Sequence, residues 1–209
     1  MVFDTEYKNA IALLPAKEKD KLLLRLLRKD MILAKRLYFE LVSEDTVEER
    51  REEMEDYLEA QVATCSHSRS TAKQILLALR TMSKSITEHV KVTKDKFGEA
   101  SLNLLMLNIT LRECRAQILN ANANLAYRLD MYIVVRTFKI LMLINTLHED
   151  FAIEFEDGLN ELRNHYDEHP RLRALAINNR IAMSWLAYDQ IPEDIAQLNK
   201  EARAAGLLR

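Results

Sequence analysis

The chain has 209 residues, of which only 3 are glycine and 3 are proline. Average usage is roughly 7% glycine and 5% proline, so about 25 residues of the two types together would be expected. Because the favoured hairpin turns need glycine or asparagine at positive φ, this composition disfavours sandwiches, barrels and glycine-loop nucleotide folds. With 48% hydrophobic and 30% charged residues, the composition indicates an all-α globular protein.

Charge and cysteine content narrow the class further. The formal net charge is −2, which is not the basic footprint of a nucleic-acid-binding protein. Cys65 and Cys114 lie far apart without CxxC spacing, which favours reduced thiols and a cytoplasmic location. The first residues lack the basic and apolar regions of a signal peptide. The longest apolar stretch, 131–147, is shorter than a spanning helix, so we expect no membrane partner.

Apolar periodicity, caps and helix breakers predict about nine helices. Pro15 fits the first turn of the second helix, and Ser43 is predicted to cap the fourth because acidic residues follow it. The seventh helix is expected either to continue or to bend near Asp150. No linker interrupts the series, so we expect a single domain, 1–209. The predicted helices cover residues 5–14, 15–28, 31–42, 44–64, 69–93, 97–119, 125–148 with 151–166, 172–188 and 192–204.

The N-terminal part carries a recognisable pattern: LLPAKEKD at 13–20, RLLRKD at 25–30 and FELV at 39–42. This stretch resembles a HEAT-like helix pair and the start of uncharacterised all-helical bacterial proteins. The resemblance implies a helical superhelix and a protein-binding role, and it implies no chemistry. The predicted fold is therefore about nine antiparallel helices in an irregular bundle or a HEAT-like α-α superhelix.

Catalytic and cofactor motifs are absent from the sequence: it contains no Walker loop, GxGxxG, GxSxG, HExxH or zinc-finger spacing. We therefore expect neither enzymatic activity nor a cofactor. His165 and His169 have the spacing at which two imidazoles on a helix share a metal, so a helical metalloenzyme is one alternative. Because no histidine belongs to a Glu-x-x-His motif, we interpret both as complementing a helix C-terminus before Pro170.

Charge is strongly patterned between residues 44 and 96. Residues 44–59 contain nine acids and two bases, a net charge of −7, whereas 61–96 contain seven bases and two acids, a net charge of +5. Five of these bases are spaced by 4, 7, 4 and 7 residues, which places them within an arc of roughly 60° on a helix. This cationic edge consists of Arg69, Lys73, Arg80, Lys84 and Lys91.

The cationic edge has two interpretations. It is a candidate surface for an anionic partner such as nucleic acid, or the acidic helix before it neutralises it internally. Since both helices carry their stripes in the same rotational sense relative to their apolar faces, the second interpretation makes a geometric prediction. Members of Glu48, Glu52, Glu55 and Glu59 should contact members of Arg69, Lys73 and Arg80.

The first functional hypothesis is a non-enzymatic cytoplasmic interaction or scaffold protein that binds a protein partner in a groove between helix pairs. This hypothesis rests on fold-level analogy. A nucleic-acid-associated regulator that uses the cationic edge is the alternative, and the helical metalloenzyme is a second one. Arg136 and Lys139 lie inside the most apolar helix, and we expect them on its exposed stripe because a buried charge must pair or reach water.

Overall fold

The computed structural model describes residues 3–208, and within this range it is helical without strands. The all-α prediction is therefore confirmed, with a helix count close to the nine expected. Short 3₁₀ segments occupy Ile153–Phe155, Met183–Trp185 and Tyr188–Gln190. The α-helices are α1 (Thr5–Leu13), α2 (Ala16–Leu27), α3 (Met31–Leu41), α4 (Val47–His67), α5 (Ala72–Thr93), α6 (Lys96–Glu113), α7 (Arg115–Leu119), α8 (Ala123–Ile144), α9 (Glu149–Ala152), α10 (Glu156–Glu168), α11 (Pro170–Asn178) and α12 (Ile195–Ala204).

Helices α5 and α6 lie at the centre of an irregular bundle. Helix α5 packs against α3, α4, α6 and α8, and α6 packs against α4, α5, α8 and α10. Their inward faces carry fully buried side chains such as Leu79 and Met106, which meet Phe138 of α8 in one continuous core. The first buried hydrophobic residue along the described chain is Leu58, so the core is built without α1, α2 and α3.

Capping boxes set the start of the two helices that carry the charge pattern. Thr46 caps α4 and Thr71 caps α5, and each exchanges hydrogen bonds with the residue three positions further on. Both helices therefore begin three residues later than predicted. The prediction of Ser43 as the cap of α4 is wrong, because its hydroxyl donates to the Asp45 carboxylate instead.

Left-handed residues end three helices in the same way. Arg69 (φ 49°), Arg180 (φ 67°) and Gly206 (φ 81°) follow α4, α11 and α12. In each case the amide of the left-handed residue donates to the carbonyl three residues back, and the next amide donates to the carbonyl five residues back. This pattern is the Schellman motif. Consequently Arg69 lies outside α5, and the helix predicted over 172–188 ends at Asn178.

Two further predicted helices are interrupted. The helix expected over 97–119 breaks at Cys114, which ends α6 and precedes the short α7. The helix expected over 125–148 ends at Ile144, after which the amides of Thr146 and Leu147 bond to carbonyls only three residues back. The chain then bends near Asp150 through α9 and a 3₁₀ turn before α10 begins.

A buried ion pair joins α4 to the start of α6. Asp95 caps α6 by accepting from the Gly98 amide at 2.7 Å. Arg51 of α4 donates to both oxygens of this carboxylate, at 2.7 and 3.0 Å. His89 of α5 places its Nε2 3.7 Å from Asp95 Oδ2. Burial alone would raise the pKa of Asp95, but its interactions with His89 and Arg51 outweigh this effect and lower the pKa to about 2.

A second buried pair holds the C-terminal helices against the bundle. Arg171 of α11 donates to Asp130 of α8 at 2.6 Å, and Asp130 is only 1% exposed. The same guanidinium donates to the carbonyl oxygens of Ile118 and Ala121 at 2.9 and 3.2 Å. One side chain therefore connects α11, α8 and the end of α7.

Replacing Asp95 by asparagine keeps a capping oxygen but removes the charge that Arg51 faces. Because this leaves one partner of a buried pair uncompensated, we expect the free energy of unfolding to fall by about 3 kcal/mol. Folding lowers the pKa of Asp95, so its contribution is present above the unfolded value of 3.8 and is lost as the pH falls towards 2. Urea denaturation measures the change.

The matched control is Asp30→Asn. Asp30 caps α3 by accepting from the Leu33 amide, and within residues 3–208 it has no ion-pair partner at 4.0 Å or less. We expect this substitution to change the free energy of unfolding by less than about 0.5 kcal/mol. Equal effects of the two substitutions would show that the ion pair contributes nothing beyond capping.

Candidate interaction site

A groove of about 650 Å³ is lined by residues of α3, α4 and α5 and of the connection between α3 and α4. Its volume lies within the range of about 300–1,000 Å³ that is usual for binding sites. The apolar side chains that line it are only partly buried or exposed, so each retains surface for a partner. These side chains are Met31, Ala34, Tyr38, Phe39, Met54 and Val92.

The walls of the groove are tied to the Arg51–Asp95 pair. His89 and Thr93 line the inner end of the groove. The Thr93 hydroxyl donates to the His89 carbonyl at 2.9 Å and accepts from the Asp95 amide at 3.3 Å. The buried corner where α4, α5 and α6 meet therefore sets the position of two walls, and α3 packs on α5 to form the third.

Charged side chains line the rim of the groove. Arg50 pairs with Glu53 at 2.6 Å and lies 3.9 Å from Asp45. Lys35 of α3 reaches Glu88 of α5 at 3.9 Å. Three carboxylates thus face two cations, and the acidic surface of α4 continues outward from them, so the rim carries a net negative charge. A partner with basic flanks around an apolar centre fits this arrangement.

The cationic edge is exposed along its whole length. Arg69 lies in the connection between α4 and α5, whereas the other four residues lie on the solvent face of α5. Within residues 3–208, Lys84 is the one member with a carboxylate at 4.0 Å or less, which is Glu88 at 3.9 Å. The edge is therefore largely free of internal ion pairs in the described part of the chain.

The predicted contacts between the acidic and basic stripes are wrong. Among the described residues, no carboxylate of α4 lies within 4.0 Å of the bases concerned: Arg69, Lys73 and Arg80. Helix α4 buries Leu58 and Val62 in the core. Helix α5 packs against α3, α4, α6 and α8. The acidic helix therefore forms no ion pair with these three bases in the described part of the chain and does not neutralise the cationic edge.

Arg136 and Lys139 are paired and half-buried, which corrects the expectation of an exposed stripe. Arg136 donates to Asn103 Oδ1 at 3.1 Å and to the Tyr132 hydroxyl at 2.7 Å. Lys139 forms an ion pair with Glu99 at 2.6 Å. Since Asn103 and Glu99 belong to α6, these two cations connect α8 to the central helix.

His165 and His169 lie at the C-terminal end of α10, where the sequence placed them. Both rings are buried, and each has an Nε2 without a hydrogen-bond partner in the described part of the chain. Burial lowers the pKa of His169, and the charges of His165 and Arg115 lower it further. Across residues 3–208, no group of three or more histidine, cysteine or acidic side chains is arranged to hold a metal ion.

Sequence reasoning missed the groove residues. Ala34 and His89 carry no motif, and each follows the apolar periodicity of its own helix. The only related signal was the acidic run 44–59, which supplies Asp45 and Glu53 to the rim. The groove itself depends on how α3 packs against α5, and no local pattern determines that distance.

No family model matches the chain, and no curated protein or solved structure is significantly similar to it. None of the helices described between residues 3 and 208 combines the length and the apolar content that crossing a membrane requires.

His169→Gln tests the consequence of burying a neutral imidazole. Because folding lowers the pKa of His169 below its ordinary value of 6.5, the unfolded chain binds more protons as the pH falls below that value. Wild-type stability should therefore decrease with acidification, by at most about 1.4 kcal/mol per pH unit from this group. The variant should show a shallower dependence when urea denaturation is measured at several pH values.

An exposed residue of α10 that carries no titratable group provides the control for this measurement. Asn164→Gln makes a comparable change on the solvent side of α10, so the pH dependence of stability should stay that of the wild type. If the stability of His169→Gln depends on pH as steeply as that of the wild type, the lowered pKa of His169 in the folded protein is contradicted.

Proposed function

We propose that this chain is a non-enzymatic interaction protein that binds a protein partner in the groove between α3 and the α4–α5 pair. The observation that carries the proposal is the groove itself, with its partly exposed apolar lining and its charged rim. Grooves of this kind take the apolar face of an amphipathic helix. The resemblance of residues 13–42 to HEAT-like helix pairs points in the same direction.

The N-terminal segment, residues 3–42, supports the same function. Helices α1, α2 and α3 contain no buried residue. Twelve of the eighteen exposed large hydrophobic residues described lie in this segment. Exposed apolar surface at this density marks an interaction site. The twelve are Phe3, Tyr7, Ile11, Leu13, Leu23, Leu24, Leu26, Met31, Leu33, Tyr38, Leu41 and Val42.

The polar chemistry of the groove favours binding over catalysis. Four of its charged side chains, Lys35, Arg50, Glu53 and Glu88, form ion pairs with one another, whereas a catalytic acid or base needs a free, tuned group directed at substrate. The proposal therefore includes no cofactor. A cytoplasmic location belongs to the proposal because Cys65 and Cys114 are both free thiols.

Filling the groove should abolish partner binding. Ala34 lies on the groove wall of α3, and an arginine there would occupy the space and add a cation. We expect Ala34→Arg to reduce the groove partner recovered from a lysate of the native host by at least about tenfold, measured by quantitative mass spectrometry.

Ala196→Arg is the matched control for this capture. Ala196 is an exposed residue of α12 that does not line the groove, so the same side-chain change there should leave the recovered proteins unaltered. Thermal melting verifies that both variants are folded. Identical recovery from wild type and Ala34→Arg would contradict the proposed function.

The cationic edge supports a second candidate function, a nucleic-acid-associated regulator. The observation in its favour is that four of the five cations lack an ion-pair partner within the described residues. Exposed cations gain affinity for phosphates because binding releases counterions. The edge contains no aromatic side chain, so this surface fits backbone contacts better than base stacking.

A mobility-shift titration with generic duplex DNA tests the second function. If it holds, affinity should fall steeply between about 50 and 200 mM salt. Arg80→Gln with Lys84→Gln should reduce the logarithmic salt slope by about 2. The exposed pair Arg128→Gln with Arg163→Gln serves as an equal-charge control. No shift even at low salt would exclude this function.

A further inference from the structure

Helix α2 is a basic amphipathic helix that its own chain leaves uncovered. Its five leucines, at 22–24, 26 and 27, fall within an arc of about 200°, and most of its bases occupy the remaining arc. Leu23, Leu24 and Leu26 are 49%, 57% and 50% exposed. A helix of 12 residues is marginally stable in water by itself. Burial of this leucine face on a partner would therefore stabilise the helix.

The charge of α2 is complementary to the groove rim. Residues 16–29 contain six bases and two acids, a net charge of +4. The rim holds the three carboxylates of Asp45, Glu53 and Glu88 against the two cations of Lys35 and Arg50, a net charge of −1. Residues 44–59, which begin at this rim, carry a net charge of −7. An apolar face with cationic flanks therefore meets an apolar floor with an acidic edge.

The length of the leucine stretch on α2 also matches the length of the groove wall on α3. The stretch from Leu22 to Leu27 rises about 8 Å along the axis of α2, and the part of α3 that lines the groove, Met31 to Phe39, rises about 12 Å. The leucine stretch of α2, about one and a half helical turns, therefore fits along the groove wall. The charged residues on the two ends of α2 would then lie over the acidic rim.

We infer that the occupant of the groove is α2 of a second copy of this chain, an inference that rests on the proposed function of the groove. In the chain's own fold, α2 precedes α3 and leaves three of its five leucines exposed to solvent. Each copy thus offers one uncovered helix and one open groove. Reciprocal exchange of α2 between two copies covers both helices and fills both grooves in a closed two-fold dimer.

Sedimentation velocity of the full chain across a range of concentrations tests this inference. Wild type should form a dimer. Leu23→Asp with Leu26→Asp, which places two charges on the leucine face of α2, should raise the dissociation constant of the dimer at least about tenfold. Ala34→Arg, which fills the groove, should do the same. Leu77→Asp is the control, because Leu77 is a 65% exposed leucine on α5 outside both surfaces, and it should leave the dimer intact.

Two additional samples separate the alternatives. Glu53→Gln with Glu88→Gln removes two negative charges from the rim at nearly constant side-chain size and should weaken the dimer without filling the groove. An equimolar mixture of the Leu23/Leu26 variant and the Ala34→Arg variant should form a heterodimer, since one intact helix and one intact groove remain. Each variant alone should dimerise at least about tenfold more weakly than the wild type.

The outcomes distinguish this inference from the proposed function. A wild type that stays monomeric at every concentration, or a dimer that survives all the variants, overturns exchange of α2. In either case, loss of another protein from the Ala34→Arg capture would still uphold the groove as a binding site. The proposed function fails when Ala34→Arg leaves the proteins captured from the lysate, a second copy of this chain included, unchanged.

Discussion

The ion pair between Arg51 and Asp95 holds the corner on which the rest of the bundle depends. Asp95 caps α6 while Arg51 approaches it from α4 and His89 from α5, so three helices converge on one carboxylate. Gly98 is needed at this corner because a Cβ there would lie 2.0 Å from Asp95 Oδ2. Since α6 in turn packs against α8 and α10, the pair sets the direction of the central helix for the whole core.

The same corner separates two parts of the molecule with different physical character. From Leu58 onward the described chain buries apolar side chains in one continuous core. The N-terminal segment, residues 3–42, forms helices but buries none of them. Short helices without a buried face obtain little stability from propensity alone. The stability of α1 and α2 therefore depends on what they contact, and this connects the fold to a binding function.

The sequence predicted the helices more successfully than their ends. Helix α5 was expected because its apolar residues recur at helical spacing, and α8 because it is nearly continuous in apolar residues. The start of α5 was missed because a Thr71–Gln74 capping box overrides Arg69 as a starting point. The end of α11 was missed because Arg180, not glycine, takes the left-handed position of its Schellman motif.

The site was less predictable than the fold, because its residues come from different helices and only tertiary packing brings them together. The cationic edge was recognised because it lies on one helix, whose periodicity alone decides which residues share a face. The predicted contacts between this edge and the acidic helix were wrong, because rotational sense allows either facing or outward stripes and only the tertiary packing of α4 and α5 decides between them. The groove residues Ala34 and His89 come from different helices, so only the packing of α3 on α5 brings them together.

Hydrogen exchange of the full chain, read by mass spectrometry at low and high protein concentration, tests the account most directly. The body from α4 to α8 should be protected equally at both concentrations, because its core lies within one chain. Amides of residues 16–27 should exchange freely when dilute and become protected when concentrated, and filling the groove with Ala34→Arg should remove that change. Equal protection of residues 16–27 at both concentrations would contradict the account.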